Sequence, residues 1–307
     1  MDIKQREDLR RKILQRNEGY GYGPDGSRLK RSLRYPLRTL RYYGLQTVAL
    51  RRPYKVNYTT LWGDRMRFYL PESGALYYNG FFEANLTNFF VNFLQDGDTF
   101  FDIGANVGYY SLLGSSLVGP RGKVLSFEPT PRTFASLSEN VRSKDNIEVF
   151  NNAVLDREVE IEFFDYGPKY SPFNSVLKRT SEQMFFKDKF EAIRVKAIAI
   201  DTFCKTRQVF PTFAKIDVEG SEHFILEAMS TVLDEARPFV SIEVSAAEEL
   251  NDNCRKSTSI LLSKGYECFE ISAPGYLTAH IPRDVYDDDN LLFVHPTRRG
   301  RIDHLIR

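Results

Sequence analysis

Two short stretches carry side chains whose types and spacing suit chemistry: "FFDIGANVGYYS" at residues 100–111, and "KIDVEGSE" at residues 215–222. The first is an apolar run that ends on Asp102 and turns through Gly104 and Gly108. A dinucleotide fingerprint needs a further glycine between those two, so that backbone can touch a pyrophosphate. Asn106 stands in that place, and the Asp102 carboxylate would repel a diphosphate and attract a cation. Glu128 closes "LSFE" 20 residues after Gly108. A carboxylate so placed accepts hydrogen bonds from two ribose hydroxyls. The loop therefore suits a nucleoside that bears positive charge. S-adenosylmethionine, with an adenosine, an ammonium, a sulfonium and no phosphate, meets those demands. The plainer readings are a loop-bracing or helix-capping Asp102 and a surface charge at Glu128.

The elements that must position these residues follow from hydropathy patterning. Residues 1–18 read as a charged helix, which "GYGYGPDG" breaks. "RLKRSLRYPLRTLRYYGLQTVALRR" spaces apolar residues three or four apart among arginines, a basic amphipathic pattern. "KVNYTTLWGDRMRFYL" reads as a hairpin across "WGD". "NGFFEANLTNFFVNFL" reads as a helix capped near Asn79, with Phe89, Phe90, Phe93 and Leu94 on one face. From residue 99 strands and helices alternate: "TFFDI", a helix from Val107 to Val118, "KVLSFE", a helix from Pro131 to Ser143, and "IEVFNNAV". An antiparallel interruption, "VEIEFFDYG" with "AIRVKAIAID", encloses a polar loop at 167–190 suited to capping an acceptor pocket. "TFAKIDVEG", a helix from Ser221 to Leu233, "FVSIEV" and a helix from Ala247 to Lys264 resume the alternation; "YECFEI" and "NLLFVHP" close as a strand pair. Such alternation predicts a mostly parallel sheet covered by helices on both faces.

"FFDIGANVGYYSL", "VLSFEPTPRTFASLSENV", "NNAVLD" and "FAKIDVEGSEHFIL" resemble, in order, the pattern of FkbM-type methyltransferases over roughly Gly80 to Val244. The resemblance implies a class I, Rossmann-like fold with a mostly parallel seven-stranded sheet. It implies an S-adenosylmethionine-dependent O-methyltransferase acting on a hydroxyl of a sugar, glycan or similar polyhydroxylated acceptor. It assigns Gly104, Ala105, Asn106 and Gly108 to the cofactor loop, Glu128 to the ribose, and Asn152 with Ala153 to the neighbourhood of the adenine.

A sugar hydroxyl is a poor nucleophile, and a base within hydrogen-bond reach assists it by ~10² to 10⁴-fold. Strand alternation puts Lys215 and Asp217 on one side, with Glu219 just beyond. Asp217 is the first candidate to orient or deprotonate the acceptor, and Glu219 the second. The plainer readings are that Lys215 neutralises Asp217, Glu222 favours its helix N-terminus, His223 is a packing or surface histidine, and Glu243 is a pocket wall. An Asp–Glu pair also suits a hard cation, but no acid cluster marks such a site and no metal is expected.

Charge is uneven. Residues 1–60 hold 15 Lys or Arg against 5 Asp or Glu, so the remainder carries 27 against 36 by subtraction from 42 and 41. The expected division is a basic N-terminal arm, residues 1–55, and a methyltransferase domain, residues 56–307. The arm either docks on something anionic, a membrane or a lipid-linked glycan, or packs on its own body. A nucleic-acid methyltransferase gripping backbone through the arm, and a non-catalytic membrane-peripheral module, are the alternatives; the acidic body and the absence of an "NPPY" motif oppose the first. No leader-like apolar segment follows Met1, and the three cysteines form no CxxC pair, so the expected compartment is the cytoplasm.

Overall fold

The computed structural model describes residues 1–20, 36–70, 73–167, 174–177, 190–245, 248–283, 286 and 289–307. The main sheet is built on strands that alternate with helices. Strand β3 (Thr99–Ile103) leads to helix α5 (Tyr109–Val118), β4 (Lys123–Phe127) to α6 (Pro131–Val141), and β5 (Ile147–Phe150) completes one half. The other half is β9 (Phe213–Ile216), α8 (Glu222–Ala228), α9 (Ser230–Glu235), β10 (Phe239–Val244) and α10 (Glu248–Ser263). Strands β11 (Glu267–Ile271), β12 (Leu277–Ala279) and β13 (Asp289–Val294) close the chain. The order β12-β11-β13-β10-β9-β3-β4-β5 makes eight strands. Those from β10 to β5 are parallel, and β13, β11 and β12 pair antiparallel. The expected seven strands become eight because "YLTA" adds β12 to the edge.

Period-two alternation distributes the buried strands between two cores. Phe100, Phe213, Phe239 and Leu292 face the core that holds Phe89, Phe90 and Phe93 of α4 (Ala84–Phe93). Their neighbours Phe101, Ala214, Val240 and Phe293 face the other, beneath Ile225, Leu226, Met229 and Leu261. Chain order reverses between β3 and β9, since β3 proceeds to β4 and β5 on one side while β9 proceeds to β10 on the other. Such a reversal opens a crevice beyond the carboxyl ends of the strands.

Three sequence expectations are corrected. "IEVFNNAV" is two strands, β5 and β6 (Ala153–Leu155), and β6 joins β7 (Val159–Asp165) and β8 (Glu191–Ala199) in a separate sheet. The break falls at Asn151, whose side-chain amide donates to the carbonyls of Glu128 and Pro129, both 2.9 Å away, and turns the chain out of the main sheet. Asn79 ends a short helix, α3 (Gly74–Asn79), at the left-handed Gly80; α4 begins only after Glu83. The expected helix from Ser221 to Leu233 is α8 and α9, broken at Met229. The antiparallel interruption is β7 against β8, and α7 (Ile200–Arg207) leads from β8 back to β9.

Ahead of the sheet lie α1 (Ile3–Tyr20), α2 (Pro36–Arg51), and the hairpin β1 (Tyr54–Thr59) with β2 (Arg65–Leu70). Helix α1 is packed on the body: Leu9 and Ile13 are buried in the first core. The Arg6 guanidinium donates to the carbonyls of Val91 and Leu94 at the end of α4 (2.9 and 2.6 Å) and of Leu117 at the end of α5 (2.9 Å). These are carbonyls a helix terminus leaves without intrahelical partners, and a cation suits them. Gly19 and Tyr20 of "GYGYGPDG" end α1, and residues 21–26 lie outside the described residues.

Candidate active site

At the reversal point lies a cavity of about 310 Å³. Gly104, Ala105, Asn106, Glu128, Asn152, Ala153, Asp217 and Glu219 all line it, so the structure brings together eight of the ten residues named from sequence. The turn after β3 is shaped by left-handed residues, Gly104 (φ 81°), Asn106 (φ 48°) and Gly108 (φ 89°). The amides of Gly104 and Ala105 both donate to the Phe127 carbonyl at 3.0 Å, which locks the turn to the end of β4. Glu128 braces it from the other side. Its Oε2 accepts from the Asn106 amide at 3.1 Å and its Oε1 from the Thr130 amide at 2.9 Å. Glu128 also lines the cavity, where a carboxylate can accept from ribose hydroxyls.

Asp102 and Gly108 are not among the residues that line the cavity. Asp102 shares the parity of Phe100, so its side chain points under α5, where Ser111 Oγ donates to it at 2.6 Å. The cation it attracts is Lys215, its partner across the β3–β9 pair. Burial still holds the Asp102 carboxyl above the usual range, with Lys215 opposing. Gly108 serves packing: a Cβ there would lie 2.7 Å from Leu137 Cδ1 of α6.

At the other end the wall is acidic. Asp217, Glu219 and Glu243 each place a carboxylate oxygen within 4.8 Å of the others, an arrangement that also suits a cation. Lys215, buried on the α5 side, donates to Asp217 Oδ2 at 2.7 Å and lies 4.9 Å from the centre of the Tyr110 ring. Its ammonium is held charged by Asp217, Asp102 and Glu83, against its burial. Burial, then the charges of Asp217 and Glu219, raise the Glu243 carboxyl well above the ordinary range, and it is hydrogen bonded to Asp217. Burial and its acidic neighbours therefore favour the neutral form of Glu243.

Sequence reading missed Glu83. It lines the cavity, accepts from Tyr110 Oη at 2.6 Å and from Asn290 Nδ2, and is pushed up by burial and by Asp217. Glu83 (φ 35°), Asn106 and Glu219 (φ 58°) are three of the five non-glycine residues of positive φ among the described residues, and all three line this one cavity. Such strain costs about 1–3 kcal/mol each and gathers where a site must be preorganised. No local signal marked Glu83, because its partners lie on α5 and β13. His223 is buried against Phe224 with its pKa lowered by burial, and is not in the cavity wall. Of the expected capping loop, Asn174 and Val176 line the cavity, and residues 168–173 and 178–189 lie outside the described residues.

Glu222 holds the acidic turn in place: its Oε1 accepts from the amides of Val218 (3.0 Å) and Gly220 (3.2 Å). Burial lifts its carboxyl from 4.5 to about 7. A raised acid favours the folded state most below its unfolded pKa, and that contribution is lost as pH rises through the folded value. Glu222→Gln keeps an oxygen for both amides but cannot ionise. Thermal melts between pH 4.5 and 7 should show a shallower loss of stability with rising pH in this variant than in the wild type; parallel slopes would disprove the assignment.

The profile of the methyltransferase FkbM domain matches residues 102–268, more than half of the chain. The chain belongs to the FkbM methyltransferase family. The matched region is a methyltransferase domain of the S-adenosylmethionine-dependent kind, and the chain spans less than two thirds of the first relatives it matches. A curated relative of this FkbM protein is the hexuronic acid methyltransferase AglP of Haloferax volcanii, 25% identical over 172 residues, which span 55% of this chain and 65% of AglP. Among solved structures it is similar to methyltransferase FkbM from Methylobacillus flagellatus KT (19% identity, TM-score 0.43, 65% of this chain and 44% of that one). It is also similar to an O-methyltransferase from Bacillus cereus in complex with S-adenosylhomocysteine (10% identity, TM-score 0.40, 69% of this chain and 80% of that one).

The cavity of this FkbM protein fits its cofactor on its own chemistry. Asn106 Oδ1 is buried without a protein partner, and the Glu128 carboxylate is aimed across the turn. Asp217 and Glu219 supply carboxylates to a ligand that carries an ammonium and a sulfonium. Glu128→Ala should weaken S-adenosylmethionine by about 1.5–3 kcal/mol through lost charge-assisted bonds. Titration calorimetry reads this directly, and unchanged affinity would remove Glu128 from the site.

Proposed function

We propose that the protein methylates a hydroxyl of a sugar or similar polyhydroxylated acceptor. The observation that carries this reading is the convergence of Asp217, Glu219 and Glu243 on the same cavity as the cofactor turn. Acceptors rich in hydroxyls donate to carboxylates, and alignment of the reacting atoms supplies about 7–11 kcal/mol in favourable cases. When bound, S-adenosylmethionine supplies a methyl group on a positively charged sulfur, already activated toward an oxygen nucleophile.

The chain's own residues account for the rest. Lys215 fixes one oxygen of Asp217, and Glu243 shares a hydrogen bond with the same side chain, so Asp217 is oriented by two partners. Asp217 then accepts the hydrogen bond of the acceptor hydroxyl and takes the proton that this hydroxyl loses. Glu219, on its strained turn, and Glu83 complete an acidic rim that receives further hydroxyls. The relative AglP, a hexuronic acid methyltransferase, supports a sugar acceptor. The acidic wall of this chain disfavours a carboxylate next to Asp217 and favours a neutral ring there.

Incubation with labelled S-adenosylmethionine and fractionated glycans and glycolipids tests the reading. Label in a neutral sugar, stable to mild alkali as an ether is, supports it. Alkali-labile label marks a methyl ester on a carboxylate and overturns it, as does transfer into nucleic acid or into no carbohydrate fraction.

A further inference from the structure

Helix α2 has two apolar faces, and the body uses only one. The inner face is fixed by Thr39, whose Oγ1 lies 2.9 Å from Tyr78 Oη, by Tyr42 stacked edge-on to Tyr78 at 4.8 Å, and by Leu45 against the first core. The outer face carries Leu37, Leu40 and Val48, which are 82%, 73% and 60% exposed, with Tyr43 at its edge. With Gly44 these residues recur at intervals of three and four, which lines them along one side of the helix. Exposed leucines aligned in this way are costly in water and call for a cover.

The charge around the stripe selects the cover. From Ser27 to Gly63 the sequence has nine Lys or Arg and no Asp or Glu. Arg41 and Arg52 are exposed beside the stripe. A second copy of the chain would bring the same arginines against each other, so self-association through this face is opposed by its own charge. An anionic bilayer accepts both features at once: the apolar side chains enter the boundary between headgroups and acyl chains, and the arginines stay at the phosphates. The helix is basic and carries an apolar stripe on the side away from the body, and no helix among the described residues is long and apolar enough to cross a membrane.

We propose that α2 docks flat on a membrane surface rich in anionic phospholipid. This inference does not depend on the acceptor reading, because none of these residues lines the cavity. The test is sedimentation of the full chain with vesicles of phosphatidylcholine alone or mixed with phosphatidylglycerol, across a salt series. The expected result is binding to the mixed vesicles, weakening as salt rises, and reduced ~10-fold or more by Leu40→Glu. Leu37→Glu and Val48→Glu should act in the same direction, and Arg41→Ser with Arg52→Ser should weaken only the anionic dependence. These positions are exposed, so circular dichroism should show each variant folded. A wild-type chain that stays in the supernatant at low salt overturns the proposal. So does binding that Leu40→Glu leaves intact, or a dimer in light scattering that the same substitution dissociates.

Discussion

Asp217→Asn should lower kcat by ~10² to 10⁴-fold with little change in affinity for S-adenosylmethionine. Asparagine keeps the size of the side chain and an oxygen that Lys215 can still reach, so the turn after β9 should stay in place. What it loses is the ability to take a proton, an interaction that grows only as the acceptor oxygen attacks. The substitution also removes the nearest counter-charge of a buried lysine, although Asp102 and Glu83 still hold it. A parallel melt separates that structural cost from the catalytic one. Two other outcomes are distinguishable in the same assays. If Asp217 faces the methionine ammonium, affinity collapses while kcat at saturation survives. If the trio of carboxylates holds a cation, a chelator abolishes wild-type activity and added metal restores it. A fully active variant would move the search to Glu219 and Glu243.

Much of this site was legible because it is local. Gly104, Ala105 and Asn106 follow one strand, Glu128 ends the next, and Asp217 and Glu219 end a third. The mostly parallel sheet does the rest by bringing strand ends to one edge. Asp102 shows where local reading stopped short. Its parity with Phe100 was visible in the sequence, but its partner Lys215 lies on a strand more than a hundred residues away, and only the β3–β9 register pairs them. The split of "IEVFNNAV" was hidden because both pieces are β-prone, and the Asn151 bonds that divide them reach back to the end of β4. Glu83 was invisible for the strongest version of this reason. Its position depends on a left-handed backbone, on Tyr110 from α5 and on Asn290 from the last strand, none of which a window around "FFEAN" contains.

Gly104→Val should abolish cofactor binding, and Gly104→Ala should come close. The reason is the approach of two strand ends. Gly104 sits at φ 81°, and a Cβ built there would lie 1.8 Å from the carbonyl oxygen of Asp217. No rotamer relieves that overlap, since both atoms belong to the backbone framework. Either β3 and β9 must part at their carboxyl ends, or the turn must flip and release the amides of Gly104 and Ala105 from Phe127. Both movements displace the Asn106 amide from Glu128 and carry Asp217 away from the turn, so the ribose end and the acidic end fail together. Left-handed strain alone costs a side chain about 1–3 kcal/mol. Gly63 provides the control, with φ 99° and nothing within 4 Å of a built Cβ. Gly63→Ala should therefore lower stability by the strain alone and leave cofactor affinity unchanged. Gly104→Ala should lose stability by more than Gly63→Ala and bind S-adenosylmethionine at least ~10-fold more weakly, the loss that each ~1.4 kcal/mol produces. Calorimetry on the two alanine variants, with melts alongside, makes the comparison. Equal losses at both glycines would show that the turn tolerates a side chain, and would place the cofactor elsewhere in the cavity.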